Sequence, residues 1–300
     1  MVRARKRFGQ HWLKSDAVLK RIADAAQLSK GDRILEIGPG RGALTRHLLP
    51  KAGAVVAVEL DRDLCPRLVK QFGDRDNFLL LQGDILKLDW PQMVEDFPNP
   101  AFRHPNKTVA NIPYNITGPI LEHLLGRIST PRSQPFESIV LLVQQEVGRR
   151  LCAKPGHKAY GALSIKVGFL ADCEYLFDVP AKAFSPPPKV MSAVVRITPR
   201  PFPEQPQNCD RLEKLIKQGF STRRKMLRNN LKSWIDGEAL MEILDSIDVR
   251  PDARAENLSI SDWIHLSDKL GDTSGDKLGD KLGGKLGDRP ANSQTVPESF

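Results

Sequence analysis

Short apolar runs alternate with amphipathic stretches over the first two thirds of the chain. Arg33–Ile37, Val55–Glu59, Phe78–Gln82 and Thr108–Ala110 are brief and rich in Val, Leu and Ile, as strands buried on both faces require. Ile139–Gln144 is apolar up to its last residue and reads as another such strand. Helical patterns fall between them. Ser15 is placed to cap a helix from about residue 16 to 28, with Val18, Ile22 and Ala25 or Ala26 on one face. Ala43–Leu49 and Asp61–Phe72 follow, the second interrupted locally by Pro66, and Pro119 opens a helix through Leu125. This alternation predicts an α/β fold with a parallel sheet covered on both faces.

The rhythm changes after residue 170. Glu174–Val179 and Ala193–Thr198 read as strands joined by a proline-rich connection, which suits an antiparallel pair closing one sheet edge. Four prolines within Pro199–Pro206 mark a linker. Leu212, Leu215, Ile216 and Phe220 then recur at helical spacing, so residues 207–266 are expected to form a small all-helical domain after a first domain over 1–199. From Ser267 the chain repeats four-residue units rich in Gly and Asp. Each glycine disfavours helix by about 1 kcal/mol. One leucine in four residues cannot build a core, so residues 267–300 are expected to be a disordered tail.

Composition narrows the function classes. Hydrophobic residues make up 40% and charged residues 27%, which suits a folded soluble chain of 300 residues. The longest aliphatic run, Ile139–Val143, falls far short of the roughly 20 residues a membrane helix needs. The basic N-terminus lacks the apolar stretch of an export signal, so a cytoplasmic protein is expected. The cysteines at 65, 152, 173 and 209 show no disulfide framework or redox motif and read as reduced packing thiols. The histidines are scattered, so no metal site is expected. The net charge is +9, yet residues 1–30 alone carry +6 and residues 211–232 carry +7. Positive charge is thus concentrated in two segments, as on a polyanion-binding surface.

Candidate chemistry gathers where strands end. The first strand runs into Glu36-Ile37-Gly38-Pro39-Gly40-Arg41-Gly42. Glycines there permit a sharp turn and close approach of a ligand. The spacing is not that of a dinucleotide site, and a carboxylate at Glu36 would repel a pyrophosphate. Glu59 ends the next strand, placed to accept both ribose hydroxyls of a nucleoside, and Asp84 follows the third, placed to accept from an adenine amino group. Asn111-Ile112-Pro113-Tyr114 follows the fourth. An exocyclic adenine nitrogen is a poor nucleophile because its lone pair is delocalised into the ring. The Asn111 side-chain oxygen, with the Ile112 or Pro113 carbonyl, could turn that lone pair toward an electrophile. Pro113 stiffens the backbone, and Tyr114 offers a ring for stacking. Phe184, in Phe184-Ser185-Pro186-Pro187-Pro188-Lys189, is the candidate second wall of a base sandwich, with Lys189 near a phosphate.

Taken together these stretches resemble the ribosomal RNA adenine dimethylase family. The resemblance rests on Arg7-Phe8-Gly9-Gln10, Glu36 to Gly40, Glu59, Gly83-Asp84, Asn111 to Tyr114, Gln145-Glu146-Val147, Tyr160-Gly161, the Phe184 loop, and Arg223-Arg224-Lys225 with Leu227 and Asn229. It implies a class I S-adenosylmethionine-dependent methyltransferase fold: a Rossmann-like seven-stranded sheet with an antiparallel last strand, plus a helical C-terminal domain. It implies two methyl transfers to N6 of each of two adjacent adenosines near the 3′ end of 16S ribosomal RNA, in the small subunit or its precursor, by a monomer. The cofactor contacts it implies are His11, Leu13, Gly38, Glu59, Asp84 and Asn111. Catalysis falls to Asn111, Pro113 and Tyr114, base stacking to Tyr114 and Phe184, and RNA contact to Arg223, Arg224, Lys225 and Arg228. His11-Trp12-Leu13 departs from the family's usual Asn-Phe-Leu. A large-subunit ribosomal RNA methylase, a DNA adenine methylase, a non-catalytic ribosome assembly factor and a nicotinamide dehydrogenase remain the competing readings.

Overall fold

The computed structural model describes residues 11–274. Residues 1–10, which include the Arg7-Phe8-Gly9-Gln10 stretch and four of the eight basic residues of segment 1–30, and residues 275–300 lie outside the described residues. In chain order the elements begin with β1 (Trp12–Leu13), α1 (Asp16–Ala25), β2 (Arg33–Ile37), α2 (Thr45–Leu48), β3 (Ala54–Glu59) and α3 (Cys65–Phe72). Next come β4 (Phe78–Gln82), α4 (Trp90–Glu95), β5 (Lys107–Asn111), α5 (Thr117–Leu125), β6 (Ser138–Gln144), α6 (Gln145–Leu151) and α7 (Ala162–Leu170). The chain then forms β7 (Ala171–Val179), β8 (Phe184–Ser185), β9 (Ser192–Pro199), α8 (Cys209–Gly219), α9 (Leu227–Leu231), α10 (Gly237–Ser246) and α11 (Ile260–Ser274).

Seven strands form one sheet in the order β4-β3-β2-β5-β6-β9-β7. The first five are parallel, and β9 runs antiparallel to both β6 and β7. Alternate residues of each strand feed different cores, as the pleat demands. Leu35, Ile37, Val56 and Val58 join one apolar cluster, while Ile34, Val55 and Ala57 join another on the opposite face. The chain moves outward from β2 to β4, then returns to place β5 on the other side of β2. This reversal opens a crevice at the carboxyl ends of β2 and β5, where ligands of open α/β sheets bind.

Pro66 does not interrupt a helix; it occupies the first turn of α3, where its missing N–H costs no hydrogen bond. Two helices that the apolar pattern did not predict, α6 and α7, cover the β6–β9–β7 side. Among the described residues α8 to α11 share a third core with Tyr160, Ile165 and Phe169 of the α7 region. Arg127 adds an ion pair at 2.7 Å to Glu213, which is only 5% exposed. Phe202, in the proline-rich stretch, stacks on Phe169 with centroids 5.4 Å apart. The expected disordered tail begins too early at 267. Helix α11 continues to Ser274, because Leu266, Ser267 and Leu270 are fully buried, and that burial outweighs the cost of Gly271. The four cysteines are free thiols, and the fold brings Cys152 and Cys173 together, their sulfurs 2.9 Å apart, a proximity that their spacing along the chain does not reveal. Among the described residues no cluster of His, Cys, Asp or Glu could hold a metal ion, and no helix is long and apolar enough to cross a membrane.

Candidate active site

A cleft of about 240 Å³ opens at the carboxyl ends of β2 to β5. The glycine loop forms its floor. Gly38 and Gly40 hold φ of +67° and +61°, in the left-handed region that side chains disfavour. A Cβ added at Gly38 would meet nothing within 4 Å, so the space beside it is open to a ligand. The Gly38 N–H donates to the Val58 carbonyl and the Gly83 N–H to the Glu59 carbonyl, both at 2.9 Å. These bonds hold three strand ends in one rim.

Glu59 stands on that rim, 5% exposed. Its two carboxylate oxygens accept from the Gly40 N–H at 2.9 Å and the Asp61 N–H at 2.8 Å. Burial raises its pKa, and those backbone donors oppose the rise. Asp84 is half-buried and closes its own turn by accepting from the Leu86 N–H at 3.1 Å. Glu36 lies deeper, 1% exposed, accepting from the Thr45 hydroxyl at 2.7 Å. Burial, with Glu59 nearby, pushes its pKa up to about 8. Burial therefore favours the neutral acid at Glu36, which weakens the expectation that its charge repels phosphate. The glycine spacing remains the argument against a pyrophosphate site.

Asn111 ends β5 and faces the same cleft. Its amide nitrogen donates to the His11 carbonyl at 3.3 Å. That bond fixes the amide's orientation and leaves its oxygen as the acceptor. Pro113, with φ −61° and ψ 130°, carries the chain into the turn from Tyr114 to Ile116 that starts α5. The Tyr114 hydroxyl and the Ser192 hydroxyl lie 2.5 Å apart, and burial raises the phenol's pKa. The His11 ring flanks Tyr114, centroids 6.0 Å apart and planes inclined by 24°. His11 Nδ1 sits 2.9 Å from the Pro186 carbonyl.

The cleft thus brings together His11, Gly38, Glu59, Asp84, Asn111, Pro113 and Tyr114. Leu13 does not line it; its side chain is core, and it borders an adjoining pocket of about 140 Å³ shared with Gly38 and Asn111. Phe184 is a correction. It is 1% exposed and packs in the core below, because β8 pairs antiparallel with β1 and turns the ring inward. It offers no face to a base here. Arg223, Arg224, Lys225 and Arg228 are exposed around the start of α9, outside the cleft. Arg223 is partly committed, donating to the Lys158 carbonyl and pairing with Glu256 at 3.4 Å. Lys189 is exposed.

Two contributors escaped the sequence reading. Ser192 is wholly buried at the start of β9, and nothing in its local sequence distinguishes it. Trp12 covers the glycine loop, its ring stacked under Arg41 at 3.6 Å. Its indole N–H is buried with no partner in the protein, although Trp12 lines both pockets. A buried donor of this kind calls for an acceptor on a ligand. With the open Gly38 cradle and a carboxylate for ribose hydroxyls, the residues present fit an adenosyl ligand.

A seven-stranded sheet whose last strand is antiparallel, with a nucleoside-sized cleft at its switch point, defines a class I methyltransferase. The model of the ribosomal RNA adenine dimethylases matches residues 1–272, and the chain belongs to that family. It is 59% identical over 269 residues to ribosomal RNA small subunit methyltransferase A of Synechococcus elongatus, covering 90% of this chain and 96% of that one. It is 56% identical over 271 residues to the protein of the same name from a Nostoc species, covering 90% and 99%. A dimethyladenosine transferase from Plasmodium falciparum superposes with a TM-score of 0.68 at 28% identity, over 85% of this chain and 96% of that one. The 23S rRNA methyltransferase ErmE superposes with a TM-score of 0.65 at 25% identity, over 86% and 99%.

Proposed function

We propose that this chain is a 16S ribosomal RNA adenine dimethyltransferase, using S-adenosylmethionine to methylate N6 of two adjacent adenosines near the 3′ end, as a monomer in the cytoplasm. One observation carries the reading: the Asn111 amide, oriented by the His11 carbonyl, presents an acceptor oxygen to the cleft that Glu59, Asp84 and Gly38 also line. The 56–59% identity to relatives named for the small subunit supports that subunit over the large one.

S-adenosylmethionine, when bound, supplies an electrophilic methyl group on a sulfonium. Glu59 would hold its ribose hydroxyls, Asp84 its adenine amino group, and the Gly38 backbone would lie beside its tail. The chain's own work is positioning. The Asn111 oxygen accepts one N6 hydrogen of the target adenine, and the Ile112 or Pro113 carbonyl accepts the other. The nitrogen lone pair is then turned out of conjugation and toward the methyl. Tyr114 stacks on the base, a contact worth about 1–3 kcal/mol. Its hydroxyl is already tied to Ser192, so the ring is held in place rather than recruited as a base. Asn111 is neutral and adds no anion beside the positive sulfur, whose charge disappears during transfer.

The test is transfer of labelled methyl from the cofactor to ribosomal subunits lacking the modification, followed by digestion to nucleosides. N6,N6-dimethyladenosine confined to 16S RNA is expected. Label in 23S RNA instead would assign the large-subunit reaction. Tight binding to small subunits with no transfer would leave only an assembly role.

A further inference from the structure

Two thiols 21 residues apart in sequence meet outside the cleft. Cys152 caps the end of α6, and Cys173 sits in β7 opposite Ile197 of β9. Both are half-buried, and their sulfurs are 2.9 Å apart. The backbones around them are fixed by close packing. Gly148 of α6 lies so near the sheet that a Cβ there would come within 3.2 Å of Ala193 and 3.3 Å of Tyr175 and Val195. The sulfurs are therefore presented to each other by a helix and a strand that pack closely together.

We propose that Cys152 and Cys173 form a reversible redox site, closed to a disulfide by small peroxides and reopened by dithiol reductants. The surroundings give the two thiols different roles. The hydrogen bond between the two sulfurs, helped by the nearby Lys154 ammonium, holds Cys152 below the ordinary thiol range. The same bond, with burial and Glu174, holds Cys173 above it. Cys152 is thus the attacking sulfur. Its thiolate takes the distal oxygen of the peroxide, forming an S–O bond as the O–O bond breaks, and the leaving hydroxide takes a proton to become water. The Cys173 sulfur then attacks the sulfenic acid, losing its proton. The S–O bond breaks, and the S–S bond forms with release of a second water. Two thiols are oxidised by two electrons, and one peroxide is reduced to two waters.

The location gives the bond something to hold. The segment leaving Cys152 docks on loops between the C-terminal helices, where the Gly156 N–H donates to the Glu256 carbonyl at 2.7 Å and Arg223 donates to the Lys158 carbonyl. Closing the disulfide ties the root of that segment to β7.

The test uses the full chain, a small excess of hydrogen peroxide, alkylation in denaturant and mass mapping of peptides. A single crosslinked species joining Cys152 to Cys173 is expected, two hydrogens lighter, reopened by dithiothreitol, with Cys65 and Cys209 still alkylated. A Cys173→Ser variant should instead accumulate a Cys152 sulfenic acid trapped by a cyclic dione. Full alkylation of both Cys152 and Cys173 after Cys65 or Cys209 has been oxidised would overturn the proposal. The wild-type mapping decides the matter even if the variant fails to fold.

Discussion

Two carboxylates, Glu36 and Glu59, end adjacent strands and meet different surroundings. Glu59 has two backbone donors on its oxygens, whereas Glu36 has only Thr45 against complete burial. A carboxyl whose pKa rises from its ordinary 4.5 to about 8 binds a proton in the folded state that the unfolded chain has released. Its contribution is therefore fully present below pH 4.5, falls as pH rises, and is gone above about 8. The slope inside that window is about 1.4 kcal/mol per pH unit. Glu36→Gln should remove this decline, so its stability relative to wild type should improve steadily from pH 5 to pH 8 in urea unfolding. A difference independent of pH would show that Glu36 is ionised throughout. The acids at strand ends were legible because each follows an apolar run, but their protonation was not, since burial depends on neighbours distant in sequence. Asn111 and Tyr114 were legible for the same reason as the acids. The inward turn of Phe184 was not, because it follows from the β1–β8 pairing, and two-residue strands leave no periodic pattern.

Among the elements, the strands of the sheet could be read because they are short, apolar and separated by turn residues. Helix α7 could not, since Ala162–Leu170 is apolar nearly all round and shows no preferred face. Helix α11 extends past its expected end because its last turns share the Gly-Asp composition of the repeat that follows. Trp263, Leu266 and Leu270 nonetheless fall at helical spacing, and all are buried. Truncation after residue 266 should cost roughly 1.5–3 kcal/mol through loss of the Leu270 side chain from the core. Truncation after residue 274 should leave the melting temperature unchanged. Equal melting of both truncated chains and the full chain would mean that these last turns add nothing.

On the scale of the molecule, the charge concentrated in residues 211–232 appears in the structure as Arg224, Lys225 and Arg228 exposed around the start of α9. Replacing these three by Gln should weaken RNA binding and flatten its salt dependence. The slope of log affinity against log salt should fall by roughly 0.7–0.9 for each phosphate that is no longer neutralised. Arg223 is left out because it also anchors the Lys158 carbonyl and Glu256. An unchanged slope would place the RNA elsewhere. In the proposed mechanism, catalysis rests above all on the Asn111 oxygen steering the target nitrogen. The most direct measurement is the single-turnover rate of methyl transfer to 16S RNA in unmodified small subunits by Asn111→Ala, with subunit affinity measured in parallel. A rate lower by about 10²–10³-fold is expected, the cost of removing one preorganised polar group, with subunit affinity nearly unchanged. A rate within a few-fold of wild type would contradict that role for Asn111.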